Sequence, residues 1–303
     1  MNLSVKITGV EFKNPVIPAS GTFGFGREYD DLYDIALLGG ISCKGTSIVE
    51  WDGNPPQRIA EVSGGVLNSV GLQNPGVDYF IENDLPFLQK KDIKIIFNAV
   101  GKSIEDYVAV VEKINETAVH MIELNISCPN VKEGGVAFGT SCEAAAAITK
   151  AVRNVCKKPL MVKLSPNVTS IGDIAAAVEA EGADAVSLIN TITGMKIDIN
   201  TRKPVLFNNT GGLSGPAVLP IAIRMVHDVY KRVKIPVIGM GGITTWEDAV
   251  EMMLAGASAI QVGTAIFTDP YAPLKIIDGL KNYLIDNKIE NISEITGKLE
   301  LNK

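Results

Sequence analysis

Short apolar runs recur along the chain, at residues 16–19 (VIPA), 40–43 (GISC), 93–97 (IKIIF), 121–124 (MIEL), 160–162 (LMV), 185–189 (AVSLI), 237–240 (VIGM) and 259–262 (AIQV). Runs this short, rich in Val and Ile and bounded by Gly or small polar clusters, read as buried strands. Between several of them apolar positions return at helical spacing. Residues 103–115 form one such stretch, with Ser103 as N-cap and Asp106 three residues on. Residues 141–156 form an Ala-rich second, and residues 171–181 a third that Gly182 closes. The segment EGADAVSLIN (181–190) recurs as AGASAIQVGT (255–264), each a helix end, a Gly and a strand. Eight such βα units predict an α/β fold, a (β/α)8 TIM barrel occupying residues 1–303 as one domain. A doubly wound sheet is the competing architecture, and the chain has no early GxGxxG opening a first helix to support it.

The remaining stretches predict what surrounds the barrel. Residues 3–12 alternate loosely and read as a small hairpin or cap. An insertion from about 47 to 87 contains NPP (54–56) and GGVLNSVGLQNPG (64–76). Irregular stretches this long are uncommon in compact domains unless functional, so parts of it are expected to pair as strands and cover a site. A second long loop runs to Gly212–Pro216, where Pro216 suits the first turn of the following helix.

Composition narrows the function classes. With 303 residues, 46% hydrophobic and 20% charged, the chain reads as an ordinary globular protein, and a net charge of −6 argues against a nucleic-acid partner. Residues 1–12 lack a basic n-region, and no run of about 18 apolar residues occurs, so neither a signal peptide nor a membrane span is expected. Cys43, Cys128, Cys142 and Cys156 show no CxxC spacing. They read as reduced thiols of a cytoplasmic protein, and they are the wrong set for an iron–sulfur cluster. No metal site is expected. Of the two histidines, His120 precedes a strand and His227 lies in a helical pattern, so acid–base work falls to Cys, Lys or a carboxylate.

The candidate chemistry gathers at strand ends, which form the active face of such a barrel. They carry Ser20, Lys44, Asn98, Asn125, Lys163, Asn190, Gly241-Gly242 and Gly263-Thr264. Packing alone does not account for so many Asn and Lys at these positions. The Gly-containing ends of strands seven and eight suit a phosphate cup built from backbone N–H groups. The segment from Asn68 to Leu72 suits contact with a small polar ligand. After strand four, Asn125, Ser127, Cys128, Pro129 and Asn130 open a Gly-containing loop, and Cys128 can serve as base or nucleophile. Lys163 can stabilise an anion on a flavin ring or form a Schiff base; its structural alternative is a lysine paired to a carboxylate in the barrel mouth.

Seven motifs together resemble the dihydroorotate dehydrogenase family: ELNISCPN (123–130), Lys44-Gly45-Thr46, NSVGLQNPG (68–76), MVKLSPN (161–167), LINT (188–191), GMGGI (239–243) and QVGTA (261–265). The likeness runs from about residue 15 to 267. It implies FMN at the barrel mouth and oxidation of dihydroorotate to orotate in pyrimidine biosynthesis, with Cys128 as the base and hydride passing to flavin N5. Cys rather than Ser at 128 resembles the class 1 enzymes. NVKEGG (130–135) and LNSVGLQNPG (67–76) resemble their NAD-linked type, which implies a partner subunit carrying FAD and a [2Fe–2S] cluster around a homodimer core of a heterotetramer. The resemblance places Lys44, Asn68, Ser69, Val70, Gly71, Leu72, Asn125, Asn190 and Thr191 at the substrate. It places Ser20, Lys44, Gly45, Asn98, Asn125, Lys163, Ile189, Gly215, Gly241, Gly242, Gly263 and Thr264 at FMN. Three rival readings remain: a fumarate-linked homodimer of the same class, a non-catalytic flavin-binding subunit, and a Schiff-base aldolase using Lys163.

Overall fold

The computed structural model describes residues 1–127 and 138–302. Its centre is an eight-stranded parallel sheet. We number those strands β1 (Val16–Pro18), β2 (Gly40–Ser42), β3 (Lys94–Ala99), β4 (Met121–Asn125), β5 (Leu160–Lys163), β6 (Ala185–Leu188), β7 (Val237–Met240) and β8 (Ala259–Val262). Each falls on one of the eight apolar runs. Neighbours pair in sequence order from β2 to β8, and β8 then pairs with β1. The seam between β1 and β2 is joined by the Gly39 N–H, which donates to the Val16 carbonyl at 3.1 Å. A Cβ at Gly39 would lie 2.0 Å from the Asn14 carbonyl oxygen, so only glycine allows this approach.

Helices Ile104–Asn115, Cys142–Val155, Ile171–Ala180, Leu219–Tyr230, Trp246–Leu254 and Ala272–Asp286 pack outside the sheet. The side chains of Ser103 and Ser141 accept the expected capping bonds, from the Asp106 and Ala144 N–H groups. Gly182 sits at φ +91° just beyond the third helix, where an L side chain would be strained. Each helix turns an apolar stripe inward, as Val110, Val111 and Ile114 do in the first, and these stripes merge with the strands into one core. Among the described residues, no helix is long and apolar enough to cross a membrane.

The irregular stretches take ordered positions. Val5–Ile7 and Val10–Phe12 form the N-terminal hairpin. The long insertion contributes Ile59–Val62 and Gly65–Asn68 to an antiparallel four-stranded sheet. The later loop completes that sheet with Ile192–Gly194 and Gly211–Ser214. Gly65 and Gly215 allow the two insertions to touch: a Cβ on Gly65 would meet the Ser214 carbonyl oxygen at 2.1 Å.

The seam yields a stability test. Gly39→Ala should lower unfolding stability by about 1–3 kcal/mol, the usual cost of forcing an extra carbon into a packed contact. The change should appear as a lower urea midpoint at unaltered slope. An unchanged midpoint would show that the barrel does not depend on this closure.

Candidate active site

The C-terminal ends of the strands and the cover sheet enclose one cleft. Ser20, Lys44, Gly45, Asn98, Asn125, Lys163, Ile189, Asn190 and Thr191 line it from the barrel side. Asn68, Val70, Gly71, Leu72 and Gly215 line it from the cover, and Gly241, Gly242, Gly263 and Thr264 close one end. Two of the expected residues stand apart. Ser69 is buried outside the cleft wall, where its hydroxyl and carbonyl accept from Asn54 Nδ2 at 3.2 and 3.0 Å. Cys128 lies outside the described residues.

Strand register explains the convergence on the barrel side. Asn98 on β3 is the neighbour of Glu123 on β4, and Asn125 on β4 is the neighbour of Lys163 on β5. Asn98 Nδ2 donates to Glu123 Oε2 at 2.7 Å, and Asn125 Nδ2 donates to Asn98 Oδ1 at 3.2 Å. Asn125 Oδ1 then accepts from Ser127 Oγ at 2.8 Å, and Asn190 Nδ2 donates to Ser127 Oγ at 2.7 Å. A continuous chain of amides and a hydroxyl thus runs from the barrel interior to the mouth. The phenol of Tyr107, on the first outer helix, donates to the Asn125 carbonyl at 2.7 Å and ties that strand end to the barrel wall.

Glu123 was legible only as part of a motif, and the structure makes it the centre of the floor. It is fully buried. Its carboxylate accepts from Ser42 Oγ (2.5 Å) and Asn98 Nδ2 on one oxygen, and from Ser187 Oγ (2.7 Å) and Gln261 Nε2 (2.9 Å) on the other. Burial by itself would push the Glu123 carboxyl up. The Lys163 charge and the bonds from Ser42, Ser187 and Asn98 outweigh that and hold it below the usual carboxylate range. Lys163, also buried, donates from Nζ to Ser20 Oγ at 3.4 Å. The signal for this layer was present in the chain, since β2, β4, β6 and β8 carry Ser42, Glu123, Ser187 and Gln261 inside wholly buried strands. Buried polar groups need partners, and inside a closed barrel these residues find them in one another and in Asn98 of the intervening β3.

The cover's inner edge is fixed by close backbone contacts. The Asn54 N–H donates to the Val70 carbonyl at 2.9 Å. Gly71 adopts φ +77°, and a Cβ there would stand 2.6 Å from Asn54 Cγ. At the far end, Gly241 and Gly242 adopt φ +119° and +81°, and a Cβ on Gly242 would lie 2.6 Å from the Leu219 nitrogen. Gly21 and Gly263 are different. A Cβ on Gly21 meets nothing within 4 Å and one on Gly263 only ordinary contacts, so their bareness leaves room at the cleft wall for a ligand to approach the backbone. His120 has no part in the cleft: its Nδ1 accepts from the Ile95 N–H at 3.1 Å, and burial, with the nearby Lys94 and Lys158 charges, holds its pKa down.

The fold and site define a (β/α)8-barrel enzyme whose cleft has a polar, charged floor and a glycine-built end suited to a phosphate. The family model for dihydroorotate dehydrogenase matches residues 2–284, and the chain belongs to that family. It is 56% identical over 297 residues to a protein of Lachnoclostridium phytofermentans named dihydroorotate dehydrogenase B (NAD(+)), catalytic subunit, spanning 98% of this chain and 99% of that one. Proteins of the same name from Alkaliphilus metalliredigens and Bacteroides thetaiotaomicron are each 56% identical, over 99% of this chain and 99% of their own length.

The thiols supply a test of the site's electrostatics. Burial, reinforced by the Asp84 and Glu123 charges, pushes the Cys43 thiol far up, whereas Cys142 is exposed. Alkylation of the native protein at pH 8, mapped by mass spectrometry, should label Cys142 and leave Cys43 unmodified. Comparable labelling of Cys43 would show that the barrel interior admits reagent or that Cys43 lies elsewhere.

Proposed function

We propose that the chain oxidises (S)-dihydroorotate to orotate for pyrimidine biosynthesis, with FMN as its bound cofactor, residues 1–303 acting as one domain. The observation that carries the reading is the convergence of Lys44, Asn68, Asn98, Asn125, Lys163 and Asn190 on one cleft in a chain of this family. Two features fit a flavin mononucleotide. The Gly-rich end at Gly241-Gly242 and Gly263-Thr264, with the open space over Gly21 and Gly263, suits a phosphate and ribityl chain pressed against backbone. The Gln261 Oε1 atom is buried without a partner beside the cleft and matches a ligand N–H or O–H. When bound, FMN supplies the two-electron acceptor that oxidation of the C5–C6 bond requires.

The chain's own residues do the rest. Ser20, Gly45, Asn98, Lys163, Ile189 and Gly215 would hold the flavin, Lys163 placing positive charge at the floor. Lys44, the Asn68 side chain and the Gly71-Leu72 backbone would bind the substrate carboxylate, and Asn125, Asn190 and Thr191 its ring amides. Val70 shapes the cover above it, and Ser69 contributes by pinning that segment through Asn54. Cys128 takes the C5 proton as thiolate.

The full-length likeness to dihydroorotate dehydrogenases weighs against an aldolase. The relatives' printed name, a catalytic subunit linked to NAD(+), supports an electron-transfer partner, which we read as carrying FAD and [2Fe–2S] around a homodimer of this chain in a heterotetramer. Cytoplasmic location belongs to the same reading.

Anaerobic mixing of the yellow chain with dihydroorotate should bleach the flavin absorbance, and Cys128→Ala should slow bleaching by at least about 100-fold, the lower range for loss of a general base. In the wild type the rate should rise with pH through roughly 8.5, the ordinary thiol value, because only the thiolate accepts the proton. Equal rates in both proteins would remove Cys128 from its role. A colourless protein trapped by borohydride with a sugar phosphate would replace the reading with the aldolase. Reoxidation by fumarate alone would assign the fumarate-linked type.

A further inference from the structure

The buried layer at the barrel floor contains an amide oxygen that the protein itself leaves unpaired. Gln261 is 1% exposed and lines the cleft from β8. Its Nε2 donates to Glu123 Oε1 at 2.9 Å, while its Oε1 has no hydrogen-bond partner in the protein. A buried amide oxygen left alone is costly, and native proteins seldom retain one without a reason. Reversing the amide would not relieve it. An ionised carboxylate only accepts, so a reversed Gln261 would set its oxygen against the Glu123 oxygen. The other groups around the carboxylate allow no exchange either, because Ser42, Asn98 and Ser187 already donate to it and the Lys163 charge favours its ionised form.

We propose that Gln261 is a flavin-binding residue whose Oε1 accepts a hydrogen bond from an N–H or hydroxyl of the bound FMN, and that Glu123 is the positioning residue that fixes which end of the Gln261 amide is offered. The proposal rests on the FMN reading above. FMN carries both kinds of donor, one ring N–H and the ribityl hydroxyls, so the chemistry required is present on it whichever part lies over β8. Gln261 stands two residues before Gly263-Thr264 and pairs with Met240, directly before Gly241-Gly242. The acceptor is therefore supplied from the same strand ends that would hold the phosphate. Glu123 in turn needs no contact with the ligand, because its effect passes through the Gln261 amide.

The test measures FMN affinity, by titrating the flavin-stripped full chain and following flavin fluorescence. Gln261→Met keeps the side-chain length and removes the acceptor. It should weaken FMN binding about tenfold, the consequence of leaving one ligand donor buried and unpaired. Ser187→Ala removes a donor from the same Glu123 oxygen without lining the cleft and should change the affinity less than about twofold. Glu123→Gln introduces an amide that can donate, so Gln261 is free to reverse. In that background the further substitution Gln261→Met should cost less than about twofold, the non-additivity of two residues acting as one unit. Thermal midpoints within a few degrees of wild type confirm folded variants; an unfolded Gln261→Met is replaced by Gln261→Leu. Wild-type affinity in the folded Gln261 variant, or an equal loss in Ser187→Ala, would overturn the contact. A full tenfold effect of Gln261→Met in the Glu123→Gln background would overturn the positioning role. A wild-type chain that binds no FMN would instead bring down the cofactor reading, and this inference with it.

Discussion

The Glu123 carboxylate sits where a (β/α)8 barrel ordinarily packs branched apolar side chains. A charge in that place is tolerable only if its lost hydration is replaced on every side. Here the replacement comes from four strands, through Ser42, Asn98, Ser187 and Gln261, with Lys163 supplying countercharge from a fifth. Because the acceptor is fixed, each donor around it is oriented. Asn98 must turn its oxygen to Asn125, and Asn125 its oxygen to Ser127, so the polarity of the cleft wall descends from one ionised group at the floor.

Above this floor the cleft is closed by a four-stranded sheet outside the barrel. Its strands come from two insertions far apart in sequence, 59–68 and 192–214, and they meet because Gly65, Gly211 and Gly215 let backbones approach closer than any side chain would permit. The segment from Asn68 to Leu72 at the cleft wall is therefore held from behind, by Asn54 and by the positive φ of Gly71 and Leu72. Cover and floor are each held by hydrogen bonds and close backbone contacts, the condition for orienting a small ligand.

Much of this was legible in the chain. The eight apolar runs became the eight strands, the Ser caps of two outer helices took their expected bonds, and the strand-end Asn and Lys residues converge on one cleft. These features are local: period, capping chemistry and the position of a polar residue at a strand end need no knowledge of neighbours. The motifs around Asn125, Lys163 and Gly241-Gly242 carried the family resemblance, which the family model now shows. Ser69 illustrates the limit, because adjacent residues of an extended segment face opposite ways and the choice of Asn68 over Ser69 for the cleft depends on what each packs against.

The sequence by itself determined the repeated βα units, hence a closed parallel barrel, and the residue types at its mouth. It did not determine the floor. Ser42, Ser187 and Gln261 are each the one polar residue of an apolar strand, and a single strand does not say whether that residue is an error of packing or half of a bond. Only closure of the barrel, with its particular stagger, brings Ser42, Ser187 and Gln261, with Asn98, around the one carboxylate of Glu123. Hydrogen bonding is satisfied over about 3 Å, and residues 25 to 138 apart in sequence reach that distance only in the folded chain.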